Sequence, residues 1–141
     1  MRTLAIDYGD KRIGLAISDE GGTLASPLEV IEAAGAIERV RKIIDSEGVG
    51  RVIVGMPLNM DGSVGPAARK VMDWGAQLGV DVIFVDERLS SFEAEGTLRQ
   101  RKAAGERLTW DQKKRRLDAL AAAAILQDYL HGKVKAYEMP G

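Results

Sequence analysis

The chain contains no cysteine and a single histidine, His131, among its 141 residues. Disulfide bonds and thiolate metal sites are therefore excluded, and one histidine is too few for a histidine-based metal centre. Aromatic residues are also scarce, at 5% of the chain. If this protein uses a metal ion, carboxylates must hold it, and they favour hard cations such as Mg²⁺ or Mn²⁺.

The sequence also lacks an apolar run long enough to cross a membrane, which takes about 20 residues. No secretory leader is visible, because a strand is already predicted from Thr3. Hydrophobic residues make up 45% of the chain and charged residues 29%, as is typical of soluble globular proteins. We therefore expect a single domain, residues 1–141, in the cytoplasm.

The net charge of −1 hides an uneven distribution of charge. Between residues 99 and 116 only Glu106 and Asp111 are acidic. The same segment carries eight basic residues: Arg99, Arg101, Lys102, Arg107, Lys113, Lys114, Arg115 and Arg116. Such a basic segment is typical of a nucleic-acid interface, but also of a solvated helix face, and charge alone does not separate the two.

Apolar runs and hydrophobic periodicity predict the secondary structure. Strands are predicted at residues 3–8, 12–19, 24–31, 49–55 and 80–86. Helices are predicted at residues 36–47 and 66–78, from Ser90 or Ser91 to about Lys102, and from about Trp110 to Leu130. A three-stranded meander followed by alternating helices and strands indicates an α/β fold, with a mixed five-stranded sheet and helices on both faces.

Three acidic positions stand out in this arrangement. Asp7 ends the first buried strand, and Asp86 and Glu87 end the last one. Adjacent strand residues face opposite sides of a sheet, so only one of Asp86 and Glu87 can meet Asp7. Asp118 falls within the apolar arc of the last predicted helix, where a carboxylate needs a cation or a partner such as Arg88. Each acid alone is equally compatible with a solvated surface position.

Together, three carboxylates at one sheet edge suit metal-assisted chemistry on phosphates, with the basic segment holding the phosphate backbone. Lys11 and Arg12 follow the first turn and can contact phosphate, or be ordinary surface charges. In the turn-rich loop 55–63, Asn59 and Asp61 are either ligand contacts or residues that hold the turn. Trp74 is interpreted as a packing residue, and Trp110 as a packing residue or a platform for a base.

Four motifs resemble the YqgF/RuvX family, and they cover nearly the whole chain. They are Ile6-Asp7-Tyr8-Gly9 with Lys11-Arg12-Ile13-Gly14, the loop 54–63, Val85-Asp86-Glu87-Arg88-Leu89-Ser90, and the helical segment 118–127. The resemblance implies an RNase H-like fold and a bacterial cytoplasmic nuclease that matures the 5′ end of pre-16S rRNA. It also implies an acidic triad of Asp7, Glu87 (with Asp86 as the alternative) and Asp118, holding Mg²⁺ or Mn²⁺. Met56 replaces a leucine that is usual in the family, a volume-conserving exchange.

The sequence is also compatible with two other hypotheses about function. The same acids would serve a nuclease for branched DNA such as a Holliday junction, for which a stable dimer would be expected, whereas a monomer favours RNA. The chain could also be a non-catalytic module that binds nucleic acid during ribosome assembly. The predicted nucleic-acid contacts are Lys11, Arg12, Asn59, Arg88, Arg101, Lys102, Lys113, Lys114, Arg115 and Arg116. Predicted partners are structured RNA or branched DNA, and a pre-ribosomal particle, with the protein a monomer or weak dimer.

Overall fold

The computed structural model describes residues 1–59, 61, 63–86 and 110–133, with residues 110–116 described only as part of a helix. The strands are β1 (Arg2–Asp7), β2 (Arg12–Ser18), β3 (Ala25–Glu32), β4 (Val49–Met56) and β5 (Val82–Asp86). The helices are α1 (Ala36–Ser46), α2 (Pro66–Ala76) and α3 (Trp110–Leu130). The helix predicted from Ser90 or Ser91 to Lys102 and the tail after residue 133 lie outside the described residues.

The five described strands form one sheet in the order β3-β2-β1-β4-β5. β2 is antiparallel to both β1 and β3. β4 is parallel to β1, and β5 is parallel to β4. The predicted mixed sheet is therefore confirmed, and the carboxyl ends of β1, β4 and β5 lie at one edge.

Strand alternation divides the core into two layers, one on each face of the sheet. Leu4 and Ile6 of β1 pack on one face with α1 and α2, where Val40 and Trp74 are buried. Ala5 packs on the other face. Because each central strand is apolar on both sides, it is covered by helices on both sides, as predicted for parallel strands of this kind.

α3 covers the second face alone among the described helices. Its residues Ala122, Ile125 and Leu126 are fully buried against Ala5 and Ala16. Small side chains on both surfaces let the helix lie close to the sheet. No helix in the described part of the chain is long and apolar enough to traverse a bilayer.

Gln127 joins α3 to the turn between β2 and β3. Its Oε1 accepts a hydrogen bond from the backbone N–H of Ala25 at 3.0 Å, and its Nε2 donates to the carbonyl of Thr23 at 3.2 Å. Within the same turn, Asp19 accepts from the N–H of Thr23 at 2.8 Å and from that of Leu24 at 3.1 Å. These bonds lower the pKa of Asp19 below its ordinary value.

The boundaries of the described elements agree with the sequence to within two residues, and the two largest differences have local causes. α2 ends at Ala76 rather than Leu78, because the N–H groups of Gln77 and Leu78 bond back to Trp74 and Gly75 in a tight turn. Gly79 follows with φ of 72°, which favours glycine. β5 therefore begins at Val82 instead of residue 80.

Candidate active site

Asp7 ends β1 on the face of the sheet that α3 covers. Leu4 and Ile6 pack toward α1 and α2, and Ala5 packs toward α3. Asp7 has the same parity as Ala5, so alternation places it on the α3 side. It is partly exposed, whereas the four residues before it are buried. The strand thus delivers a carboxylate at the point where the core gives way to solvent.

Gly14 lies directly opposite Asp7 in the antiparallel pair of β1 and β2. A Cβ atom at Gly14 would overlap the backbone carbonyl of Asp118 in α3. The absence of a side chain therefore lets α3 approach the sheet beside Asp7. Gly14 brings Asp118 to the same face and the same end of the sheet as Asp7.

Asp118 lies on the sheet-facing side of α3, as the helical arc predicted. Ala121, Ala122 and Ile125, which share that side, are all buried. The Nε of Arg12 lies 3.6 Å from Oδ2 of Asp118, with side chains 17% and 33% exposed respectively. Arg12, and not only the suggested Arg88, can therefore offset the cost of a carboxylate at this half-buried position.

The turn between β1 and β2 holds Arg12 in place. The backbone at Gly9 passes so close to the carbonyl of Arg12 that a Cβ atom would not fit there. The φ of Gly9 is not positive, so the close approach, and not a left-handed backbone, accounts for a glycine at this position. At the end of the turn, the carbonyl of Lys11 accepts from the N–H of Ala33 at 2.9 Å.

Asp86 ends β5 at the same edge and pairs with Met56 of β4. Phe84 packs with the α1 and α2 layer, and Val85 with the α3 layer. Continued alternation places Asp86 on the side of Phe84, across the sheet from Asp7. The other member of the predicted pair, Glu87, lies outside the described residues, as does Arg88.

Asn59 and Asp61 hold their own loop. The Nδ2 of Asn59 donates to Oγ of Ser63 at 3.0 Å, and its backbone N–H bonds to the Ser63 carbonyl at 3.0 Å. Asp61 Oδ1 accepts from the backbone N–H of Ser63 at 2.9 Å and from its hydroxyl at 2.6 Å. These contacts are those of the turn-holding interpretation. A ligand role for Asn59 stays a prediction.

Only some of the predicted cationic contacts lie among the described residues. Lys11 is exposed beside the β1–β2 turn, next to Arg12. Lys113, Lys114, Arg115 and Arg116 occupy the first half of α3, which places them on the same helix as Asp118, N-terminal to it. Arg101 and Lys102 lie outside the described residues.

The donor set at this edge suits a hard divalent cation. Asp7 and Asp118 supply carboxylate oxygens, the ligands that Mg²⁺ prefers. Among the residues that the structure describes, no group of three histidine, cysteine or acidic side chains is gathered for a metal. Glu87, the third predicted ligand, lies outside the described residues.

Sequence reasoning missed two contacts that build this site, the Arg12–Asp118 ion pair and the close approach at Gly14. A signal for the second was present. Gly14 and Ala16 alternate on one face of β2, opposite Asp7 and Ala5 of β1. A run of such small side chains favours close packing of a helix, but the sequence does not say which helix.

The sequence of this chain is similar to a family model and to known bacterial proteins. A family model described as "RuvX: Holliday junction resolvase" matches residues 1–132. A relative from Carboxydothermus hydrogenoformans, named "Putative pre-16S rRNA nuclease", is 40% identical over 142 residues, covering 96% of this chain and 99% of its own. A relative of the same name from Geobacillus thermodenitrificans is 42% identical over 144 residues, covering 94% and 99%.

Solved structures share the fold at low sequence identity. Thermus thermophilus RuvC superposes with a TM-score of 0.57 at 19% identity, covering 97% of this chain and 100% of that one. RuvC from the same organism in complex with a Holliday junction gives 0.56 at 20% identity, with coverage of 97% and 99%. The RNase H-like fold expected from the sequence motifs is thereby confirmed.

Proposed function

Since the chain belongs to the RuvX family, we propose that it is a metal-dependent endonuclease that hydrolyses phosphodiester bonds in structured RNA, at the 5′ end of pre-16S rRNA. The relatives at about 40% identity carry that activity in their names and match over nearly their full length. The protein would act in the cytoplasm. Its substrate would be free RNA or RNA within a pre-ribosomal particle.

The observation that carries this proposal is that Asp7 and the backbone of Asp118 both lie next to Gly14, on one face and at one edge of the sheet. The two residues come from opposite ends of the chain, yet the pairing of Asp7 with Gly14 and the contact of Gly14 with the Asp118 backbone put them on one face. An acid with only a solvent role would not require a second carboxylate residue on the same face. Two carboxylates at one sheet edge can supply oxygen ligands to a divalent cation, and such a cation can catalyse hydrolysis of a phosphodiester.

In this mechanism Asp7 and Asp118 would hold Mg²⁺ or Mn²⁺ through their carboxylate oxygens. Such an ion, when bound, activates a water molecule and stabilises negative charge on the leaving oxygen. Arg12 orients the carboxylate of Asp118 and limits the repulsion between the two acids. Basic side chains of the first half of α3 hold neighbouring phosphates and thereby position the scissile bond.

We assign the third ligand to Glu87 rather than Asp86. The alternation along β5 supports this choice, because it places Asp86 on the α1 and α2 side of the sheet. Asp86 therefore does not share the face of Asp7, and Glu87, the other acid of the predicted pair, is the remaining candidate. Substitution of each acid separately by its amide distinguishes them: loss of cleavage with Glu87→Gln and not with Asp86→Asn supports the assignment.

Cleavage of branched DNA is the second candidate, favoured by the description of the matching family model. The same carboxylates and cations would serve it. Junction resolution needs two symmetry-related cuts, so it also requires a dimer, whereas RNA processing does not.

The deciding experiment offers pre-16S rRNA and a four-way DNA junction to the purified protein side by side, with Mg²⁺ and with a chelator. We expect Mg²⁺-dependent cleavage of the RNA and little cleavage of the junction. Cleavage of the junction alone, by a dimer, supports the second candidate. Binding of RNA with no cleavage under any metal condition, including with a pre-ribosomal particle, overturns the nuclease and leaves a binding module.

A further inference from the structure

A second feature of the carboxyl edge lies on the opposite side of the sheet from Asp7. An open cavity of about 450 Å³ is bounded by Tyr8 at the end of β1 and by the exposed side of α2. Its volume lies within the range of small-ligand sites. None of its lining residues is among the proposed metal ligands.

Two aromatic rings form the apolar wall of this cavity. Tyr8 is half-buried, and Trp74 is only 8% exposed. Their ring centroids lie 5.2 Å apart with an angle of 47° between the planes, a favourable tilted arrangement. Trp74 is thus a support fixed in the core, and Tyr8 is the ring that a ligand can reach.

Two cations, Arg69 and Lys70, stand at the rim. Lys70 donates to Oδ1 of Asp10 at 2.6 Å, which ties α2 to the turn after β1. That bond raises the pKa of Lys70, and the nearby Tyr8 adds a smaller effect in the same direction. Arg69 is exposed and has no ion pair with any described residue. Its guanidinium is therefore available for a phosphate.

The remaining polar groups are suited to a base edge more than to a second phosphate. Asp73 contributes a carboxylate, which accepts hydrogen bonds and repels anions. Gln77 contributes an amide that both donates and accepts. An aromatic wall, acceptors for a base edge and a cation for a phosphate together match a nucleotide.

We propose that this cavity binds one unpaired nucleotide of the RNA strand, with the base against Tyr8 and a flanking phosphate at Arg69. This inference rests on the proposed function, because Tyr8 directly follows Asp7 at the same edge of the sheet, and an RNA strand held here would cross that edge to reach the carboxylate. A base can reach an aromatic side chain in this way only when it is not stacked in a duplex. The cavity would thus select substrates with a single-stranded segment beside the cleavage point.

The test compares two RNAs in the Asp7→Asn background, so that neither is consumed. One is a hairpin with a single-stranded 5′ extension, and the other is a blunt hairpin with the same number of nucleotides. We expect Tyr8→Leu, and separately Arg69→Ala with Gln77→Ala, to weaken binding of the extended RNA about tenfold. Binding of the blunt RNA should change little.

Lys42→Ala is the matched control, because Lys42 is an exposed cation on α1 and does not line the cavity. Unfolding in urea shows whether each variant keeps its fold. The surface pair Arg69→Ala and Gln77→Ala keeps the test valid if Tyr8→Leu does not fold. Equal affinity of the folded cavity variants and the control for the extended RNA overturns the proposal.

A second readout follows the cavity directly. The chain has two tryptophans, so Trp110→Phe leaves Trp74 as the sole reporter. A single-stranded oligoribonucleotide should quench its emission, and Arg69→Ala should shift the midpoint to higher RNA concentration. Quenching that is indifferent to Arg69→Ala contradicts the proposal.

The outcomes separate this inference from the nuclease assignment. If the parent protein cuts RNA and Asp7→Asn does not, but the cavity variants bind like the control, only the cavity proposal is wrong. If the parent cuts nothing while the cavity variants lose the extended RNA, the nuclease assignment is wrong and the nucleotide site stands.

Discussion

Gly14 and Asp118 approach each other so closely that no methyl group fits between β2 and the backbone of α3. This contact fixes the distance between the helix and the sheet at the point where Asp7 lies opposite Gly14. The candidate site therefore depends on a residue that has no functional group of its own.

Gly14→Ala should displace α3 from the sheet. Because the obstructing atoms belong to the backbone, we expect a loss of about 1–3 kcal/mol in unfolding free energy and a larger loss of cleavage. Urea unfolding and cleavage rates measure the two effects. Gly21→Ala is the matched control, since a Cβ atom there would make only an ordinary contact. Equal behaviour of the two variants would show that the approach of α3 does not matter.

Asp7→Asn should abolish cleavage while leaving the fold and RNA affinity largely intact. The amide keeps the size of the side chain but removes the charge that holds a divalent cation. Cleavage of pre-16S rRNA, RNA binding and urea unfolding are measured on protein freed of contaminating nucleases. Asp45→Asn, on an exposed position of α1, is the control. Undiminished cleavage by Asp7→Asn would refute the enzymatic assignment.

Neutralising cations in the first half of α3 should weaken RNA binding and flatten its dependence on salt. Each lost phosphate contact lowers the slope of log K against log salt by about 1. The double variant Lys113→Gln with Lys114→Gln is compared with a control double variant, Lys42→Gln with Arg51→Gln. The control removes the same charge from exposed positions of α1 and β4. Identical slopes for the two would place the nucleic acid elsewhere.

Asp19 gives a prediction for pH. Hydrogen bonds from Thr23 and Leu24 lower its pKa below the ordinary value of 3.8. Since the folded-state pKa is the lower one, the carboxylate stabilises the fold above the unfolded pKa, and this contribution is lost as the pH falls through the folded pKa. Asp19→Asn should therefore unfold at lower urea than the parent at neutral pH. The difference should shrink below about pH 4; a constant difference would contradict this origin.

The sequence was most informative where one physical signal dominated. The helix predicted from about Trp110 to Leu130 matches α3 at both ends, because the apolar spacing runs to Leu130 and Gly132 follows with a positive φ of 72°. The parallel arrangement of β1, β4 and β5 followed from their apolar runs and from the helices between them. The position of Asp118 on the sheet-facing side followed from helical periodicity alone.

The contacts between distant elements were not readable in the same way. The pairing of Arg12 with Asp118 depends on where α3 crosses β2, and the cavity beside Tyr8 depends on how far α2 stands from β1. Asn59 shows a different limit, since an amide in a loop can serve a ligand or its own turn with the same atoms. Sequence therefore predicted which elements form, and tertiary geometry decided how their side chains are used.

The contact between β2 and α3 has a consequence for the order in which the molecule is made. Asp7 leaves the ribosome early, whereas Asp118 emerges only after most of the chain has been translated, at about 5–20 residues per second. Until α3 docks, the site of a nascent polypeptide lacks Asp118, one of the three proposed carboxylate ligands. The proposed nuclease would thus lack a complete site while it is still attached to the ribosome that synthesises it.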